Sequence, residues 1–157
     1  MWLSGETFRM VVDATPLVSI DLVVCDEAGQ ILLGQRLNRP AQGCWFVPGG
    51  RMLKNETLDE AFLRLTRDEL GLAMPRQQAR LLDVYEHFYS DSVFADAGQG
   101  PSTHYVVLGY KVQLAAGQVL DPPAQQHDRY RWWSAEAMQA SAAVHDNSKA
   151  YLVALAG

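Results

Sequence analysis

The sequence predicts a mixed α/β fold: a mixed β-sheet with few helices, one of which directly follows a glycine loop. Three observations carry this. Runs rich in Val, Ile and Leu, Leu17 to Cys25 above all, read as strands. Thr57 and Glu60 form a capping box that opens an amphipathic helix, and Gly71 closes it. Gly49-Gly50 lies between the short apolar run Trp45-Phe46-Val47 and that helix.

Taken in order, residues 4–13 predict a short amphipathic helix with Phe8, Val11 and Val12 on one side, and Pro16 ends it. Leu17 to Cys25 is the first strand. Asp26-Glu27-Ala28-Gly29 supplies a turn, and Ile31 to Leu37 returns as the second arm of a hairpin. Asn38 to Gly43 is a loop broken by Pro40 and Gly43. Trp45-Phe46-Val47 is a short buried strand. After the glycine loop, Leu58, Ala61, Phe62 and Leu65 recur at helical spacing. Further strands are expected over Leu81 to Tyr89, His104 to Leu114 and Asp128 to Trp133. Ser134 caps a short helix through Met138, and Asn147 a last one through Leu155.

A chain of 157 residues suffices for one domain with a substantial core, here 1–157 with residues 1–15 as an N-terminal helical extension. The net charge of −5 argues against a nucleic-acid partner or an anionic membrane surface. Local arginines can still bind phosphate within an acidic protein. Neither a signal peptide nor a membrane-spanning run is evident, so the cytoplasm is the expected compartment. Cys25 and Cys44 make no metal-like pair and are expected to be reduced and buried.

The chemistry concentrates in the loop and helix. Gly49-Gly50 lets the backbone approach a ligand, and a carbonyl there can serve as a hard oxygen donor. Glu69 falls on the same stripe as Leu58, Phe62 and Leu65, where an ionised carboxylate is costly unless it is paired or metal-bound. Asp68 lies in line with Arg64 at i,i+4, so the two can pair. Together Gly50, Glu56, Arg64, Asp68, Glu69 and Gly71, at these spacings, resemble the Nudix box. The usual box ends Arg-Glu-apolar-any-Glu-Glu-any-Gly-apolar. Here Leu65 stands at its first glutamate and Asp68 at its second.

That resemblance implies an α/β/α sandwich, a divalent cation and a substrate built on a nucleoside diphosphate. The cation would be Mg2+, with Mn2+ as a substitute, held by the helix carboxylates and the carbonyl of Gly49. The altered box, with Pro16-Leu17-Val18-Ser19, Asn38-Arg39-Pro40-Ala41-Gln42-Gly43, His104-Tyr105-Val106-Val107-Leu108-Gly109 and Gln126-His127-Asp128, is similar to the GDP-mannose mannosyl hydrolase subgroup of that family. The likeness runs along nearly the whole chain.

The subgroup's reaction splits a GDP-hexose at the C1–O bond, with inversion, to GDP and free sugar. GDP-mannose would be the substrate, with GDP-glucose or GDP-fucose as further candidates. On that resemblance His127 is the general base, and a neutral imidazole suits the role at pH 7. Gly49, Glu69 and Gln126 hold the cation. Arg36 and Arg51 bind the diphosphate, where planar guanidinium groups pair bidentately, and Asp21 lies near the sugar and the catalytic groups. A homodimer is also implied, with Trp2, Phe8 and Val12 as contact residues. His87 and Tyr105 are pocket candidates that can equally be packed in the core. Trp45, Trp132 and Trp133 offer guanine a stacking surface or belong to the core. Two other readings stand beside this one. The first is a pyrophosphohydrolase that cleaves the P–O–P bond of a nucleotide sugar. The second is a non-catalytic nucleotide-sugar-binding domain.

Overall fold

A computed structural model describes residues 2–122 and 127–157, with backbone only for His127 and Asp128. The elements run α1 (Gly5–Ala14), β1 (Leu17–Cys25), β2 (Ile31–Arg36), β3 (Trp45–Phe46), β4 (Gly49–Arg51), α2 (Leu58–Leu70), β5 (Ala79–Tyr89), β6 (Thr103–Gln113), β7 (His127–Trp133), α3 (Ala135–Ala140), α4 (Asp146–Lys149) and α5 (Tyr151–Ala156).

The sheet is mixed, in the order β3-β2-β1-β6-β5, with β4 paired to β1 and β7 to β2. Successive side chains of a strand point to opposite faces, and β1 shows the consequence. Ile20, Leu22 and Val24 pack with Phe62, Leu65 and Leu70 of α2. Val23 and Cys25 pack on the other face with Trp133, Met138 and Tyr151 of the C-terminal elements. The result is the expected α/β/α sandwich.

The expected hairpin forms only at its base. β1 and β2 pair at Cys25 and Ile31, then diverge. β1 instead runs parallel to β6 from Leu17↔Tyr105 to Cys25↔Gln113, while β2 pairs with β7. These partners lie far off in sequence, so local turn signals cannot reveal them. The opening between β1 and β2 is where β4 and its glycines enter.

The α2 termini follow their signals. The Thr57 hydroxyl accepts from the Glu60 amide, and the Glu60 carboxylate accepts from the Thr57 amide at 2.9 Å. Gly71 takes the left-handed conformation, φ 70°. At the C-terminus the cap is His145, not Asn147: Nδ1 of His145 accepts from the Asn147 amide at 3.1 Å. The Asn147 side chain instead donates to the Tyr89 hydroxyl at 3.0 Å. Cys25 is buried and Cys44 only half-buried, both as free thiols. Among the described residues no helix is long and apolar enough to cross a membrane.

Candidate active site

One face of the sheet carries a run of polar side chains, and strand register explains why they meet. Asp21 lies opposite Gly49 of β4 and Gly109 of β6, and Ser19 opposite Arg51. His87 of β5 lies opposite Tyr105 of β6. Residues two apart on a strand share a face, so Tyr89 joins His87. Together with Arg36 at the end of β2 and Glu69 of α2, these groups line a cavity of about 520 Å³. That volume suits a nucleotide-sized ligand.

Glycines set how closely the parts approach. A Cβ on Gly49 would lie 2.7 Å from Oδ1 of Asp21 and would collide with the Ile20 carbonyl. On Gly50 a Cβ would come within 2.6 Å of Cδ2 of Leu65 and 3.9 Å of Oε1 of Glu69. β4 therefore lies directly against both the acid of β1 and the helix carrying Glu69.

Two carboxyl groups in the cavity are held near neutrality. Burial raises Asp21 to about 7, against the hydrogen bond from Tyr151 and the charge of Arg36. Burial also raises Glu69 to about 7, with Asp68 adding repulsion and Arg36 and Arg64 opposing it. Glu69 is only 3% exposed. Arg36 thus acts electrostatically on both acids. Burial and the nearby His145 lower His87 to about 4, so His87 is neutral at physiological pH. Its Nε2 is buried and has no hydrogen-bond partner among the described residues.

The box residues divide their work. Arg64 donates to both oxygens of Glu56, at 2.8 and 2.9 Å, and to the Arg51 carbonyl at 3.0 Å. Glu56 in turn accepts from the Leu53 amide at 2.7 Å. This network ties the loop after β4 to α2. The expected i,i+4 partner of Arg64, Asp68, is more distant at 3.9 Å and remains half-exposed. Its nearer cation is Arg67, at 3.2 Å. Two short bonds to Glu56 against one contact at 3.9 Å make the bidentate fork the dominant pairing of Arg64.

Other placements differ from expectation. Trp45 and Trp133 are buried, with ring centroids 5.5 Å apart, and Trp132 packs against the α2-side core. None of the three lines the cavity. Of the three residues expected at a subunit contact, Val12 is 6% exposed, the Phe8 ring lies 5.6 Å from that of Phe94, and Trp2 is 72% exposed. Gln126 lies outside the described residues. The backbone of His127 pairs with that of Arg36, and its side chain is not described. Sequence reasoning missed Phe46, Tyr89 and Tyr151; the two-residue spacing of Tyr89 from His87 was the available signal.

The donors fit a small hard cation. Glu69 is a buried carboxylate that lines the cavity, raised by burial and opposed by the charges of Arg36 and Arg64, and a carboxylate so placed favours a positive partner. Gly49 would add its carbonyl. No group of three His, Cys, Asp or Glu suited to a metal occurs among the described residues. A cation here would complete its shell with substrate phosphates and water, which suits Mg2+.

Residues 15–155 match the NUDIX domain model, and the chain belongs to the Nudix family. It is 42% identical over 112 residues to the low-salt glycan biosynthesis protein Agl8 of Haloferax volcanii, spanning 71% of this chain and 68% of that protein. It is 36% identical over 70 residues to an 8-oxo-dGTP diphosphatase of Proteus vulgaris, spanning 44% of this chain and 61% of that protein. Among solved structures it resembles a MutT Nudix hydrolase from Burkholderia pseudomallei, with a TM-score of 0.69 and 26% identity over 90% of this chain and 98% of that one.

Proposed function

We propose that this Nudix chain hydrolyses a nucleoside diphosphate linked to a sugar, and that it cleaves the C1–O bond of a GDP-hexose such as GDP-mannose. The observation that carries the choice of bond is Leu65. It stands where the box's first glutamate would be, is 2% exposed and packs against Gly50. Glu69 is then the only buried carboxylate of α2. Attack on phosphorus calls for several carboxylates to hold metal ions and activate water. Departure of a diphosphate from carbon needs mainly charge neutralisation.

In this reading Arg36 and Arg51 take up the charge that develops on the leaving diphosphate. Glu69, the Gly49 carbonyl and Gln126 would hold Mg2+, whose charge, when bound, would offset that of the phosphates. His127 accepts the proton of the attacking water, the water oxygen bonds to C1, and the C1–O electron pair leaves with GDP. Asp21 and His87 face the sugar end. No protonated acid is required at the leaving group, unlike ordinary inverting glycosidases. The name of the Haloferax relative places that protein in glycan biosynthesis, a process fed by nucleotide sugars.

Cleavage of the P–O–P bond is the competing reading. The comparisons lean towards it, since the Proteus relative is named a diphosphatase. Oxygen-18 water separates the two. Label in the released hexose is the expected result; label in a phosphate product would overturn the C–O assignment. Binding of GDP-mannose with Mg2+ but no product at any pH would leave the non-catalytic reading.

A further inference from the structure

The cavity has two unlike ends. At one, Asp21 and Arg36 lie within electrostatic reach of Tyr89, whose ring centroid is 6.4 Å from that of His87. At the other, Arg51 and Arg64 stand beside two aromatic rings supplied by the segment that precedes β1. The Arg51 guanidinium lies 4.3 Å from the Phe8 ring and 5.6 Å from Trp2, and that of Arg64 lies 5.9 Å from Trp2. α1 is fixed in place by buried Val12 and by the edge contact of Phe8 with Phe94. Trp2 nevertheless stays 72% exposed while lining the cavity. An indole this exposed at the cavity rim has ring surface left to bury against a ligand. Both residues precede the stretch matched by the family model, which begins at residue 15.

A diphosphate lying between Arg36 and Arg51 divides its two substituents between these ends. The polar end suits a hydroxyl-rich sugar. The open end, an indole and a phenyl ring beside two guanidinium groups, suits a flat π-system. We infer that Trp2 and Phe8 form the nucleobase platform of this cavity, with a purine stacked on Trp2 and its diphosphate running inward past Arg51. The inference rests on the nucleoside-diphosphate reading above and names the residues that hold the base.

The test is calorimetric titration of GDP and of inorganic pyrophosphate, each with Mg2+, into the wild type, Trp2→Ala and Trp2→Tyr. Stacking on an aromatic side chain predicts that Trp2→Ala weakens GDP about tenfold or more and changes pyrophosphate by less than about twofold. Trp2→Tyr should recover most of the loss. GDP should also quench indole emission in the wild type and not in Trp2→Ala. Equal GDP affinity in wild type and Trp2→Ala, or equal losses for both ligands, would overturn the platform. So would a Trp2→Ala variant that changes only the sedimentation behaviour, because Trp2 would then be a subunit contact. A wild type that binds GDP with this Trp2 dependence but turns over no nucleotide sugar sinks the proposed reaction and leaves the platform standing. A wild type that binds pyrophosphate and not GDP overturns both.

Discussion

The Tyr151 hydroxyl donates a 2.6 Å hydrogen bond to Oδ2 of Asp21, joining α5 to β1 across 130 residues of chain. Gly109 makes room for it: a Cβ there would lie 2.6 Å from the Tyr151 ring and 3.0 Å from that of Tyr85. With Oδ2 fixed, Oδ1 of Asp21 faces Gly49 at the cavity floor. Tyr151→Phe keeps the buried ring and removes the bond. With Asp21 raised to about 7 and only partly ionised, the bond is worth about 1 kcal/mol, so kcat should fall about fivefold, with KM little changed. In an Asp21→Asn background the same substitution should have almost no further effect, because the two residues act as a unit. Additive losses in that double-mutant cycle would reduce Tyr151 to a packing residue.

The two raised carboxyls fix the sign of a pH dependence. Asp21 and Glu69 rise from 3.8 and 4.5 to about 7 in the fold. The folded state therefore binds their protons more tightly than the unfolded chain does. Their contribution is most favourable at low pH and is lost as pH rises through about 7. Glu56, lowered chiefly by its hydrogen bond from Arg64, acts in the opposite direction and loses its contribution in acid. Comparing variants isolates the first effect. Without divalent cation, Glu69→Gln should raise the Tm at pH 8, and the gain should vanish towards pH 4. Mg2+ should raise the Tm of the wild type at pH 8 and not that of Glu69→Gln.

Restoring the missing box glutamate should harm the fold. Leu65 is 2% exposed and packs within the α2-side core. Leu65→Glu puts a carboxylate there at a cost of about 2–4 kcal/mol. Urea unfolding without metal would register this as a lower midpoint at unchanged slope. Leu65 also borders the cavity beside Gly50, so unchanged stability would show that a carboxylate placed here turns into the cavity and away from the core.

Arg64 is expected to matter through structure first. Its fork to Glu56 and its bond to the Arg51 carbonyl tie the loop bearing Arg51 to α2. Both side chains of the ion pair are largely buried. Glu56→Gln removes the charge from the two-bond fork but keeps an acceptor for one arm, whereas Arg64→Ala leaves a largely buried carboxylate with only the Leu53 amide as donor. Arg64→Ala should therefore cost more, about 2–3 kcal/mol against about 1 for Glu56→Gln. Equilibrium unfolding of the two variants would check the order.

Local chemistry made part of this molecule readable in advance. The start and stop of α2 follow from Thr57, Glu60 and Gly71, because caps act within one turn of chain. The loop glycines and Glu69 were legible because box spacing fixes them on one loop and one helix face. The cap of α4 was misread because an imidazole nitrogen can accept as a hydroxyl or amide oxygen does.

The amino-acid order alone determined the mixed sheet with its glycine loop and capped helix, the identity of the charged groups and the family resemblance that implies the layers, since periodicity, capping and motif spacing are local properties of the chain. Only the tertiary structure decided which of those groups meet. The parallel pairing of β1 with β6 sets Asp21 beside Gly109, and so brings Tyr151 to it. The packing of α1 carries Trp2 and Phe8 to the arginines of the cavity. Both arrangements arise from contacts between segments remote in sequence. Their geometry is set by burial of the shared core, which no short stretch of residues encodes by itself.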